Sequence, residues 1–267
     1  MKQAWSAVAG WMLIAGGHAE QEQSSSLLGI EVTAATQYVS RGFQQSWGRP
    51  ALQAGFEHSF PAGWFVGTWA STVSPRFIER GRVEWDAYAG YGGTWHAIGD
   101  ESVDYRLGLY GYRYPGARMT ATGTGYDYAE LIASTDWHGW SLSYAITVTR
   151  DYFGFNSRTL GLPGQSHSRG SGYLSIGRGL QLGNGYRLDL HYGWQRVNHF
   201  SDYSWTDASI AVSRRFAGFD ITGSYARGWN AAGVFRHYGT GVPDKAGRIH
   251  TSNPIAGAWF LTVGRAF

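Results

Sequence analysis

Cysteine is absent from the 267 residues, which excludes disulfide frameworks, thiolate metal sites, cysteine nucleophiles and lipidation at a lipobox cysteine. Lysine is almost as scarce. Lys2 and Lys245 are the only two, and the other cations are arginines spread singly or in pairs. Charged residues make up 15% of the chain, below the roughly 25% of soluble domains. With a formal net charge of +3 and no basic run, the electrostatic footprint of a nucleic-acid binder is missing. Long apolar runs are missing too. The apolar stretch at residues 7–16 falls short of the roughly 20 residues a spanning helix needs, and mean hydropathy is −0.29. A bundle of membrane helices is therefore excluded.

What the chain has in quantity is aromatics and glycine. Aromatics reach 16%, with 13 Trp and 17 Tyr, and there are 39 glycines. Trp and Tyr favour the bilayer interface, where the ring is apolar and its polar atom can hydrogen-bond. Glycine suits tight turns and crowded strand faces. Residues 1–19 read as a secretory signal peptide: Lys2 supplies the positive start, residues 7–16 the apolar stretch, and Gly17-His18-Ala19 the small residues before cleavage. The expected domain layout is thus a signal peptide over 1–19 and one barrel domain over 20–267, exported to the periplasm and inserted in the bacterial outer membrane.

The remaining chain reads as strands. In residues 185–195, Tyr186, Leu188, Leu190, Tyr192 and Trp194 share one face, and Arg187, Asp189, His191, Gly193 and Gln195 the other. Period-two alternation over such a length means a β-strand with one apolar and one polar face. The apolar face has aromatics at its ends and aliphatics between, the order of a lipid-facing strand with interfacial girdles. The same rhythm holds at 82–91, 103–112 and 140–149, and more weakly at 28–40, 51–60, 63–73, 126–136, 171–180, 203–214, 217–227 and 256–267. The expected fold is all-β: a transmembrane antiparallel up-and-down β-barrel of about twelve strands. A secreted β-sandwich also alternates, but its single core would have to enclose aromatics from nearly every strand.

Connection lengths alternate as well. Short turns centre on Pro61-Ala62-Gly63, Trp137-His138-Gly139, Gly183-Asn184-Gly185 and Phe216-Ala217-Gly218, with the residues of tight hairpins. Long connections fall at 42–50, 74–81, 115–125, 150–170, 196–202 and 228–254. Short periplasmic turns and long extracellular loops are the habit of outer-membrane barrels. The connection at 92–102 departs from it, being long where a short turn is due. The two longest loops, 150–170 and 228–254, are the expected constriction. The chain ends in Phe267, in phase with Val263, Leu261 and Trp259, and this looks like the recognition signal for the barrel-assembly machinery. Arg265 stands where an apolar or aromatic residue is usual.

The charges that alternate with apolar positions are Glu31, Glu57, Glu84, Asp86, Asp104, Arg106, Glu130, Arg187, Asp189, His191 and Asp207. Charge is costly toward lipid and acceptable toward a wet lumen, so these are the candidate pore-lining residues. Their alternative role is a salt-bridged filling that holds a narrow barrel together. None of the nine histidines has the spacing of a helical metal motif, and Ser166-His167-Ser168 reads as a polar loop, because adjacent residues rarely converge as nucleophile and base. No catalytic residue, metal site or cofactor is expected.

Several segments of the first half resemble the TorF porin family. They are Tyr38-Val39-Ser40-Arg41-Gly42, Pro50-Ala51-Leu52-Gln53, the run from Gly63 through Trp64 and Trp69 to Ser71, Glu84-Trp85-Asp86-Ala87-Tyr88-Ala89-Gly90-Tyr91, and Tyr112-Arg113-Tyr114-Pro115, with Tyr128-Ala129-Glu130 in continuation. Thr72 stands where that family tends to have Asn. The resemblance, over roughly residues 30–135, implies an outer-membrane barrel and a pore, and no particular substrate. The reading that follows is a non-enzymatic, porin-like channel for passive diffusion of small hydrophilic solutes or ions. Its partners are outer-membrane lipid, the assembly machinery and the solutes, with no nucleic acid. The alternatives are a closed structural or adhesive barrel, and an outer-membrane lipid-modifying enzyme.

Overall fold

A computed structural model of the chain describes residues 28–96 and 101–267. The signal peptide expected at 1–19 lies outside the described residues. No helix among the described residues is long and apolar enough to cross a membrane.

Twelve strands close into one antiparallel barrel. In chain order these are β1 (Leu28–Ala35), β4 (Ala51–Ser59), β5 (Trp64–Thr72), β6 (Val83–His96), β7 (Ser102–Arg113), β8 (Tyr128–Trp137), β9 (Trp140–Thr147), β10 (Gly172–Gly183), β11 (Tyr186–Arg196), β12 (Trp205–Phe216), β13 (Phe219–Trp229) and β14 (Ala258–Ala266). Two short strands, β2 (Val39–Ser40) and β3 (Phe43–Gln44), form a separate hairpin. Each barrel strand pairs with its sequence neighbour in the ring, and β1 pairs with both β4 and β14, so no edge is left. Closure of this kind satisfies backbone N–H and C=O groups without water, which a strand crossing hydrocarbon requires.

The hairpins at one end follow from turn chemistry. His138-Gly139, Asn184-Gly185 and Ala217-Gly218 each have positive φ at both residues, from 48° to 81°. That is the type I′ turn, whose twist matches the flanking strands and which favours glycine at its second position. The connection at 92–102 also resolves. β6 and β7 run past the segments the alternation marks and stay paired through His96↔Ser102. Gly92 and Gly93 blur the alternation there, but glycine pairs in a ladder like any residue. The opposite end carries the long connections 36–50, 73–82, 114–127, 148–171, 197–204 and 230–257.

The outer surface is apolar. Across adjacent strands, Val66, Ala89, Leu109, Leu131 and Ile146 lie in one register, all outward. Aromatic side chains flank this belt, among them Tyr91, Trp64, Trp137 and Tyr186 toward the short turns and Trp85, Trp194, Trp229 and Trp259 toward the long loops. Trp259 is 77% exposed, and the outward Arg178, Arg214 and Arg265 stack on Trp140, Tyr186 and Phe219 with 4.9, 4.9 and 5.5 Å to the ring centroids. A continuous apolar band between aromatic girdles is a membrane-facing surface.

Candidate functional site: the charged lumen and the hairpin folded into it

Alternation sends every other side chain of the barrel inward. Glu31, Glu57, Glu84, Asp86, Asp104, Arg106, Glu130, Arg187, Asp189, His191 and Asp207 all stand on inward-facing positions of their strands. Asp136 and Asp220 share the inward phase of Ser134 and Thr222, and the sequence reading omitted both. They were open to the same argument, because Asp136 is in phase with Glu130.

In the half nearer the short turns the charges form compact pairs. Arg106 donates to both Glu57 oxygens at 3.2 and 2.9 Å, and its guanidinium lies 3.8 Å from the centroid of Phe65. Arg187 donates through Nε to Asp189 at 2.8 Å. Glu31 accepts from Thr33 Oγ1 at 2.9 Å, and Asp104 from Thr94 Oγ1 at 2.6 Å. Small side chains fill the space between them: Gly90, Gly108, Gly177 and Ser143 face inward, and a Cβ on Gly90 would come within 2.5 Å of the Phe65 ring.

The half nearer the long loops is built differently. β1 leaves the barrel at Ala35, earlier than the strand expected over 28–40, because the chain turns into the lumen. There Arg41 (φ 47°) and Gly42 (φ 80°) make the tight turn of the β2–β3 hairpin. Gly42 is pressed against the wall: a Cβ would lie 2.7 Å from Asp207 Cβ and 3.3 Å from Gly228 Cα. Only glycine meets both the dihedral and the approach. Tyr38 and Tyr114 donate their hydroxyls to the two Glu84 oxygens at 3.0 and 2.8 Å. Arg41 donates to both oxygens of Glu130 at 3.1 and 2.6 Å and to Gln195 Oε1 at 3.1 Å, and stacks 4.4 Å from the Tyr173 centroid. Trp205 Nε1 donates to the Arg41 carbonyl at 2.9 Å. Beside it, the Tyr173 hydroxyl donates to Asp207 at 3.0 Å, and His191 Nε2 sits 3.0 Å from both groups.

Over the hairpin lies an aromatic cap. Phe43 meets Trp205, Phe235 and Phe77 with centroids 4.8, 5.0 and 5.5 Å apart, and Tyr152 packs against Tyr128 and Trp205. Tyr128 and Trp205 stand in the inward phase of their strands, but the members from the four connections have no local periodicity, so alternation could not find those. The two longest loops, expected to constrict the barrel, contribute Tyr152 and Phe235 to the cap, and the segment 36–50 enters the lumen beneath them and contacts its charges. Arg41 stands in the sequence only within the segment Tyr38-Val39-Ser40-Arg41-Gly42 that resembles the TorF porin family, and its Arg-Gly pair after a strand is the one local signal of the turn. In the 114–127 connection, burial pushes the Tyr126 hydroxyl up to about 12.

The remaining motifs are structural. His167 Nδ1 lies 2.7 Å from Asp151 Oδ1, while Ser168 Oγ donates to the Phe155 carbonyl at 2.5 Å and accepts from Tyr152 N at 2.8 Å. Neither flanking serine engages the imidazole, so the group braces the 148–171 connection. Phe267 follows β14, donates its N–H to Ile30 O at 2.9 Å and packs with Arg265 at 5.0 Å.

A closed twelve-stranded barrel with an apolar exterior and a charged interior defines the class: a membrane β-barrel of porin architecture. The family described as a bacterial protein of unknown function, Gcw_chp, matches residues 19–241, and the chain belongs to it. Among solved structures, the KdgM porin in complex with disordered oligogalacturonate is similar with a TM-score of 0.50 at 7% identity, covering 90% of this chain and 99% of that one. The NanC porin gives 0.47 at 8% identity, covering 90% and 98%. No curated protein matches the sequence significantly.

Proposed function

We propose that the protein is a porin-like channel of the bacterial outer membrane, exported by its N-terminal signal, that lets small hydrophilic solutes or ions diffuse passively. The single observation that carries this is the inward face. Ionisable groups run along the whole lumen, from Glu31 and Glu57 near the short turns to Glu84, Glu130 and Asp207 near the long loops. A barrel needing only a core could fill that space with apolar side chains at lower desolvation cost. The porin fold of KdgM and the resemblance to the TorF porin family support the same reading. The eleven charges expected to line the pore take that role here, and Phe267 acts as the signal read by the assembly machinery. KdgM has been captured with oligogalacturonate, a polyanion; here such a solute would meet mostly like charge.

A second reading, a closed structural barrel, draws on the Arg41 hairpin and the aromatic cap, which fill the half nearer the long loops. Planar-bilayer recording of the refolded chain separates the two. The channel reading expects discrete current steps, larger when the hairpin is weakened by Arg41→Gln. Correct insertion without current, in wild type and in that variant, supports the closed barrel.

A further inference from the structure

The charges inside the barrel do not balance. Near the short turns Arg106 is committed to Glu57 and Arg187 to Asp189, and Arg215 stands opposite Asp220 in the β12–β13 ladder, which leaves Glu31, Asp104 and Asp136 without a salt bridge among the described residues. Near the long loops three carboxylates, Glu84, Asp86 and Glu130, face one guanidinium, Arg41. Only Glu130 is bridged by it, and Glu84 is served by neutral tyrosine hydroxyls. Asp86 is 6% exposed, and its buried Oδ1 has no hydrogen-bond partner, although the charges of Glu84, Glu130 and Arg41 all act on it. That oxygen is a buried acceptor left open toward the lumen layer shared by Glu84, Glu130 and Arg41.

The surroundings of Arg41 specify what kind of cation they hold. Glu130, fully buried, offers a two-pronged carboxylate, Gln195 an amide oxygen, and Tyr173 a ring face. Together they complement a planar cation from the edge and from the face. Yet the residue they hold belongs to no barrel strand. It sits at the tip of a two-residue turn whose segment is braced from the wall by Trp205 Nε1 and from the loops by Gln44 N to Pro254 O at 2.8 Å and Ser74 N to Gln45 O at 3.0 Å.

We propose that this carboxylate layer is a recognition site for guanidinium- or ammonium-bearing solutes, that Arg41 occupies it as a tethered stand-in, and that the passage admits cations. The proposal rests on the channel reading and names its solute class. A tethered group competes at the effective concentration its linker sets, so an external cation gains access when the tether yields or is removed.

The test is refolded full-length protein in planar bilayers under a KCl gradient, as wild type, Arg41→Gln and Arg41→Gln/Glu130→Gln. The reversal potential should lie on the cation side in each, and Arg41→Gln should conduct more than wild type. Guanidinium chloride should block Arg41→Gln at a concentration about tenfold lower than wild type, because the resident competitor is gone. The double variant should lose that sensitivity and keep its cation preference through Glu84 and Asp86. Its neutral pair also keeps the measurement available if Arg41→Gln fails to refold, as read by heat-dependent gel migration. Anion-side reversal, or equal block of wild type and variants, overturns this inference and leaves the channel standing. Silence from all three overturns both.

Discussion

Replacing Leu109 with arginine tests the physical claim that the outer belt faces hydrocarbon. Leu109 is the eighth residue of β7, is 53% exposed, and lies between Ala89 on β6 and Leu131 on β8, with Val66 and Ile146 one strand further on. No carboxylate occupies that stripe. A guanidinium there can only snorkel along the strand toward a girdle, so the cost should approach the midplane figure of about 2–4 kcal/mol. Phe216 supplies the control. It ends β12 beside a type I′ turn and is 66% exposed, so Phe216→Arg should cost about 0–1 kcal/mol, as at an interface. The assay is equilibrium denaturant unfolding in phospholipid vesicles, followed by tryptophan fluorescence. Equal penalties at the two sites, or wild-type protein that stays monomeric in water without detergent, would refute the membrane-facing assignment.

Other outcomes follow from the same structure. Arg41→Ala leaves the Glu130 carboxylate buried without its partner and should destabilise the barrel by about 3–5 kcal/mol; adding Glu130→Gln should recover part of that loss in a double-mutant cycle, and strict additivity would show the pair is uncoupled. Gly42→Ala strains a positive φ and drives a Cβ into Asp207, so the hairpin should leave the lumen, read as faster proteolysis within 36–50 while the barrel stays folded. Glu101, directly before β7, accepts from Trp137 Nε1 at 3.0 Å and lies 2.6 Å from His138 Nε2. The hydrogen bond from Trp137, followed by that from His138, holds its carboxyl below the usual range. A depressed folded-state value gives stability that is present above the ordinary carboxylate range and is lost as pH falls through the folded value, so wild type should lose melting temperature on acidification more steeply than Glu101→Gln. Parallel pH curves for the two would remove Glu101 as a contributor.

The barrel was legible because one face of each strand meets lipid and the other does not, so period two is imposed residue by residue. The strand at 185–195 shows this, and β11 begins and ends within a residue of it. Where that constraint lapses, the reading failed. The alternation predicts β1 five residues too long, because Tyr38 and Ser40 keep the rhythm inside a hairpin that has left the wall. The inward charges were found by phase, but their partners were not. Arg41 meets Glu130 and Gln195 across 89 and 154 residues of sequence, and no local pattern encodes such a meeting. The cap escaped for the same reason, since Phe43, Phe77, Trp205 and Phe235 are brought together only by closure.

The seam between β1 and β14 has a consequence for how the molecule comes into being. Gln37 and Thr36 reach partners more than two hundred positions downstream, so the cylinder is sealed by contacts between the two ends of the described chain. Until that zip completes, two raw borders face the bilayer and the first strand has only one companion. Assembly should therefore be slow and all-or-none, with the final joint setting the pace.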